Sequence, residues 1–359
     1  MSLFILLFFV LVAPGLAWSN MEQFLTDLNK LPTAERQQKL ITGAKQEGEV
    51  MMYSSSGLEE VRAITKRFGE KYPFIKTRFL RKGGSQLFNV SQLEFKSQKY
   101  LVDVYWAGNS TLGPIVKQSK PMLARYLSPE RSGIPEQYRD QDGWWTATRV
   151  SVAIFAYNSE LVPKNKVPKN YTDLLDPFWN GKLAVDTNPG RFSAILVERM
   201  GWDKAKEYHQ RLARQNLKLH RGRSARMQLI LAGEVLGSLD INADNIVEMQ
   251  AQKAPLDYAL MDPTLLSLTS LAMPHQSPHP HAAVLLYDFI LSQEGQELLA
   301  KEKNVPVREG IEVVSKTLSD RLKLGRAEKI FIIDSPGVYD PEAEAKYDRL
   351  YIDTLVRKK

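Results

Sequence analysis

From residue 50 to residue 111 short apolar runs of strand length alternate with segments of helical spacing, in the order β-α-β-α-β. Residues 50–53 read as a strand. Leu58, Val61, Ile64 and Phe68 then recur on one helical face, and residues 75–80 form a second strand. A KGGS loop at residues 82–85 leads into a helix carrying Leu87, Val90 and Phe95. The run LVDVYW at 101–106 is a third strand, opening at AGNST into another helix. Strands separated by helices pair in parallel and need helices on both faces. This alternation excludes an all-helical bundle and a β-sandwich.

In such sheets ligands bind beyond the carboxyl ends of the strands, where the next helices begin. Here those ends read Ser54-Ser55-Ser56, Gly83-Gly84-Ser85 and Gly108-Asn109-Ser110-Thr111. Small residues let a ligand approach backbone N–H groups, and helix N-termini favour negative charge. Ser56 with Glu59 has the spacing of a capping box. That leaves Ser54 and Ser55 without a structural task and makes them, with Ser85 and Asn109, candidate ligand contacts.

A long alternating strand at 144–158 introduces a second α/β series. Its strand ends carry Asn188, Gly190 and Arg191, then Arg221 and Arg223, then Asp240 and Asn242. Arginine forks fit phosphate or carboxylate bidentately. Asp240 and Asn242 add acceptors for a solute that also carries an amine or hydroxyls; the alternative is that Asp240 and Asp244 bond within their own lobe. Two α/β halves joined by extended strands form a cleft that encloses a small molecule by hinge closure. Tyr105 and Trp106 either stack on a ligand ring or fill core.

The chain has 359 residues, 43% of them hydrophobic and 25% charged, which fits a globular protein of two domains. Residues 1–19 read as a signal peptide, with an apolar run at 3–12 too short to span a bilayer, followed by Pro14, Gly15 and small residues. The absence of cysteine removes lipid anchoring at a cysteine, disulfides and thiolate metal sites. The expected location is the periplasm, as an exported soluble protein. The formal charge of +7 arises from Lys and Arg spread among acidic residues, so nucleic acid is not an expected partner.

The segments YTDLLDPFWNGKLAVDTNPG and SPHPHAAVLLYDFILSQEGQELL resemble hallmarks of bacterial extracellular solute-binding proteins, and the chain as a whole resembles their ferric-ion-binding branch. The resemblance implies a two-lobed α/β fold of the periplasmic-binding-protein type II kind. Two crossing hinge strands, near 150–156 and 257–272, would join the lobes. It places lobe 1 at 20–152 and 264–305, and lobe 2 at 153–263 and 306–359. It implies a monomer that closes on a solute, docks on an inner-membrane ABC permease, uses no cofactor and performs no catalysis.

Iron-binding relatives use a His, a Glu and a Tyr pair as ligands. The matching positions here are Gly57, Gly108, Ala243 and Asp244. Ferric ion calls for anionic oxygen donors, so the usual iron set is missing and no metal site is expected. The positions that hold an anion in the family match Gly190, Arg191 and Arg223. The expected solute is therefore a small organophosphate, phosphonate or carboxylate. The alternatives are a ferric ion or complex held by another ligand set, or a receptor for a membrane sensor.

Two further signals are set aside. His275, His279 and His281 lie close together, but Pro278 and Pro280 break the run and make it a turn and helix start. YSSSG is not a nucleophile elbow, and VDTNPGR lacks the Lys-Ser/Thr of a phosphate-binding loop.

Overall fold

The computed structural model describes residues 21–117, 122–187, 192–312, 330–332 and 341–357. The leader reading, together with Asn188, Gly190 and Arg191, lies outside the described residues.

Two helices, α1 (Met21–Asn29) and α2 (Thr33–Glu47), precede the sheet and are separated at Pro32. The alternation read from the sequence follows: β1 (Glu49–Ser54), α3 (Leu58–Lys71), β2 (Lys76–Arg81), α4 (Gly84–Lys96), β3 (Val104–Gly108) and α5 (Asn109–Lys117). β1 lies between β2 and β3 and is parallel to both. After a short β4 (Leu123–Ala124) comes the long β5 (Thr146–Asn158).

The second series comprises β6 (Leu183–Val185), α6 (Phe192–Met200), α7 (Trp202–Ala213), β7 (Lys218–Leu219), α8 (Arg223–Leu231), β8 (Gly237–Asn242) and α9 (Ala243–Ala251). β6 is parallel to β7 and to β8. The expected second crossing is not one strand but two, β9 (Leu256–Ala259) and β10 (Thr264–Pro274), separated around Pro263. Proline has no N–H for a ladder, which is why pairing breaks there. α10 (Pro280–Leu291), α11 (Gln293–Lys301), β11 (Val305–Pro306), β12 (Ile330–Ile332) and the helix Pro341–Tyr351 complete the described chain.

The strands form one sheet in the order β2-β1-β3-β10-β5-β8-β6-β7. The parallel groups on either side are joined by the antiparallel pair β10 and β5. One core gathers α1, α2, α3 and α10 around β1, with Leu28, Leu40, Val50, Phe68 and Leu286 all fully buried. A second gathers Phe155, Trp179, Leu183, Ile195 and Leu212, and the C-terminal Leu350, Tyr351 and Leu355 pack into it. α10 is buried almost all round, as an apolar helix without a polar face must be.

Candidate functional site

Strand register brings the two groups of strand ends together. Gly108, the last residue of β3, lies opposite Thr269 of β10, which in turn lies opposite Arg149 of β5. Asn242, the last residue of β8, lies opposite Ala153 of β5. Arg149 and Ala153 are about 13 Å apart along an extended strand. The carboxyl ends of both parallel groups thus converge on one short stretch of β5 and leave a gap between them. In its floor Ser151 and Ser267 are direct cross-strand partners, and both are half-buried.

On the β1 side the serines are only partly free. Ser54 is fully buried; its hydroxyl donates to the Trp106 carbonyl at 2.8 Å and accepts from the Ser56 N–H at 3.0 Å. Those bonds remove Ser54 from the candidate contacts. Ser55 is half-buried, and its Oγ accepts the Gly108 N–H at 3.0 Å, which leaves its hydroxyl proton available. The expected Ser56–Glu59 capping box is not formed; only a half of such a box, without a side-chain cap, occurs one residue on. The N-cap is Gly57, whose N–H donates to Glu60 Oε1 at 2.5 Å, while Glu59 is exposed and pairs with Arg62. Ser56 is 2% exposed, with no partner for its Oγ among the described residues.

An anion does sit at the start of α3, and it is the protein's own. Glu60, 5% exposed at its side chain, is paired with Arg149: Nη2 donates to Oε1 at 3.1 Å, and Nε lies 3.0 Å from Oε2 without hydrogen-bond geometry. Arg149 Nη1 donates to Ser151 Oγ at 3.0 Å. The arginine therefore ties a helix of the first series to its own strand.

Across the gap, Asp240 adopts a left-handed backbone (φ 52°) beside an irregularity in the β5–β8 register. Asp tolerates that region better than most residues. The turn presents the Asp240 carbonyl to α8, where it accepts from Arg223 Nε at 3.0 Å and Arg226 Nη2 at 3.4 Å. Arg223 also faces the Asp240 carboxylate at 3.6 Å while keeping 37% of its side chain exposed. Asp240 is thus engaged with α8 of the second series. Arg226 is 1% exposed and pairs with Asp186 at 3.2 Å; burial pulls its pKa down. Asp186 also accepts the N–H of Gly222, whose φ of 88° only glycine adopts without strain. Asn242 Oδ1 is buried and has no partner among the described residues.

Ser85 and Asn109 stand in the first turns of α4 and α5, each at the carboxyl end of a parallel strand. Tyr105 and Trp106 are core: they are 2% and 0% exposed, and the indole N–H donates to Thr148 Oγ1 at 2.9 Å. His279 and His281 open α10 beside carboxylates. Asp103 accepts from the His279 N–H at 2.9 Å and faces its Nδ1 at 2.8 Å, and Glu47 faces His281 Nδ1 at 2.6 Å. Among the described residues no group of three or more His, Cys, Asp or Glu could hold a metal. Ser193 and His209 lie 2.8 Å apart but are both 0% exposed, and His209 Nδ1 is held by the Ala205 carbonyl. They lock α6 to α7.

Glu60, Asp186, Arg226, Ser151 and Ser267 were not singled out from sequence. Arg226 sits beside Met227 on an inward helix face, where apolar periodicity gives no sign of a buried cation. Ser151 and Ser267 become neighbours only through strand register.

The profile of the family described as bacterial extracellular solute-binding protein matches residues 116–327. The chain is 26% identical over 231 residues to an Fe(3+)-binding periplasmic protein of Serratia marcescens, covering 61% of this chain and 67% of that protein. Apo ferric ion-binding protein A of Pasteurella haemolytica superimposes with a TM-score of 0.71 at 19% identity, over 87% of this chain and 100% of that one. Trichodesmium IdiA (FutA), in complex with iron and citrate, gives 0.70 at 18%, over 86% and 99%. The periplasmic binding protein AfuA of Actinobacillus pleuropneumoniae, with exogenous fructose-6-phosphate bound, gives 0.66 at 21%, over 86% and 98%. At these identities the superpositions establish the two-lobed fold.

Proposed function

The chain belongs to the bacterial extracellular solute-binding protein family, and on that premise we propose that it captures a small anionic solute between its lobes. Proteins of this family bind small solutes and deliver them to ABC permeases. The proposed solute is an organophosphate, phosphonate or carboxylate, held by hinge closure and released unchanged to an inner-membrane permease. The proposed lobes are 20–152 with 264–305, and 153–263 with 306–359. Periplasmic residence after removal of residues 1–19 is part of the same reading.

The observation that carries it is Arg223. Its guanidinium stands at the start of α8, aimed by the Asp240 carbonyl, with more than a third of its surface open. The proposed partners are Ser55, Ser85, Asn109 and Asn242, joined by Asn188, Gly190 and Arg191 from the sequence. Asp240 acts by orienting Arg223. Asn242 Oδ1, a buried acceptor without a partner among the described residues, favours a solute that also carries a hydroxyl or amine, because a donor there would relieve it. A phosphorylated polyol has both features, and a neighbour of the same fold holds fructose-6-phosphate.

The competing reading is a ferric ion or ferric complex, favoured by the names of the relatives. Against it stand Gly57, Gly108 and Ala243, which offer no side-chain oxygen where iron-binding relatives place ligands. A thermal-shift screen over sugar phosphates, phosphonates, organic acids, ferric ion and ferric complexes separates the two, because ligand bound only by the folded form raises its melting temperature. Stabilisation by ferric species alone would overturn the anion reading.

A further inference from the structure

The Glu60 carboxylate has the surroundings of a bound oxyanion. Oε1 accepts both the Gly57 N–H, at the head of a fourteen-residue helix, and Arg149 Nη2, while Oε2 lies 3.0 Å from Arg149 Nε as an ion-pair contact and has no hydrogen-bond partner among the described residues. A helix N-terminus and an arginine guanidinium are both recurrent ways a protein grips phosphate or carboxylate. Ser56, the preceding residue in the chain, keeps a buried hydroxyl without a partner among the described residues. Arg149 also borders the cleft floor through its bond to Ser151.

We propose that Glu60 is a built-in competitor for the solute's anionic group, and that its exchange for solute on Arg149 selects dianions over monoanions. This rests on the reading of the cleft as the solute site. While Glu60 holds Arg149, the pair is neutral and offers an incoming anion no net attraction. A carboxylate replacing it exchanges one negative charge for another on the same guanidinium and gains little. A phosphate or phosphonate dianion brings two charges to that donor set and displaces Glu60 toward the open cleft, where water solvates it. The internal carboxylate thereby sets a threshold that singly charged organic acids do not pass.

The test is Glu60→Gln, probed with inorganic phosphate and with acetate by calorimetry and thermal shift. Glutamine keeps an acceptor for the Gly57 N–H and removes the competing charge. Phosphate affinity should rise at least tenfold over the unsubstituted protein, acetate binding should appear, and both gains should vanish in Glu60→Gln/Arg149→Met. Unchanged or weakened phosphate binding in Glu60→Gln overturns the proposal and leaves Glu60 a structural ion-pair partner. So does a gain that survives the loss of Arg149. Should Glu60→Gln fold poorly, Glu60→Asp withdraws the carboxylate by one methylene. It should give a smaller gain, and a phosphate affinity equal to that of the unsubstituted protein again overturns the proposal. The solute reading fails separately, if no anionic compound stabilises the unsubstituted protein.

Discussion

The Tyr351 hydroxyl donates to the Asp186 carbonyl at 2.8 Å, tying the C-terminal helix to the end of β6. Asp186 holds Gly222 and Arg226, and Arg226 bonds the Asp240 carbonyl that also aims Arg223. The C-terminal helix therefore supports the start of α8, where Arg223 stands. Burial pushes the Tyr351 phenol's pKa well up, so it remains a donor at every physiological pH. Tyr351→Phe should cost about 1 kcal/mol of stability in urea denaturation and weaken solute binding. Unchanged affinity would mean that the support does not reach Arg223.

Two arginines three residues apart should behave in opposite ways. Arg223→Ala removes a partly exposed group and should change stability by less than about 1 kcal/mol while abolishing solute binding. Arg226→Met keeps the side-chain volume but strips Asp186 of a buried partner, and should lower stability by about 3 kcal/mol. Denaturation and calorimetry on both variants read the contrast; equal binding losses with equal stability losses would contradict it.

His209 and His279 should give stability opposite slopes with pH. Burial depresses His209 from 6.5 to about 4. The unfolded chain therefore takes up that proton first as pH falls from 6.5 to 4, and the folded state loses about 3 kcal/mol. His209→Asn should flatten that slope. The His279 pKa is raised, first by its hydrogen bond to Asp103. Its contribution is complete below the unfolded value and is lost as pH rises through the higher folded value. His279→Asn should thus destabilise more at pH 6 than at pH 9.

Ferric ion should produce no phenolate charge-transfer colour. Hard ferric ion needs anionic oxygen donors, and Ala243 and Asp244 stand where the relatives' tyrosine pair would lie. Visible absorption on iron addition checks this, and a band in that region would revive the ferric reading.

The alternation of strands and helices and the polar strand ends are local patterns, and each was legible in the sequence. So was the placing of Arg223 at the start of its helix. The Ser56–Glu59 capping box was not borne out: the helix starts one residue later, at Gly57, which has no side chain to cap with, and only Glu60 accepts the N-cap N–H. Glu60 is the one that pairs across space with Arg149 of β5.

What the sequence by itself determined is the order of elements and the chemistry available at their ends, because periodicity and turn residues act over a few positions. What only the tertiary structure decided is which of those groups remain free. Ser54 is used up by Trp106, Asp240 is engaged with Arg223, and Glu60 holds Arg149, from residues 52, 17 and 89 positions away. A hydrogen bond or ion pair depends on distance in space, and strand register sets that distance without leaving a mark in the local sequence.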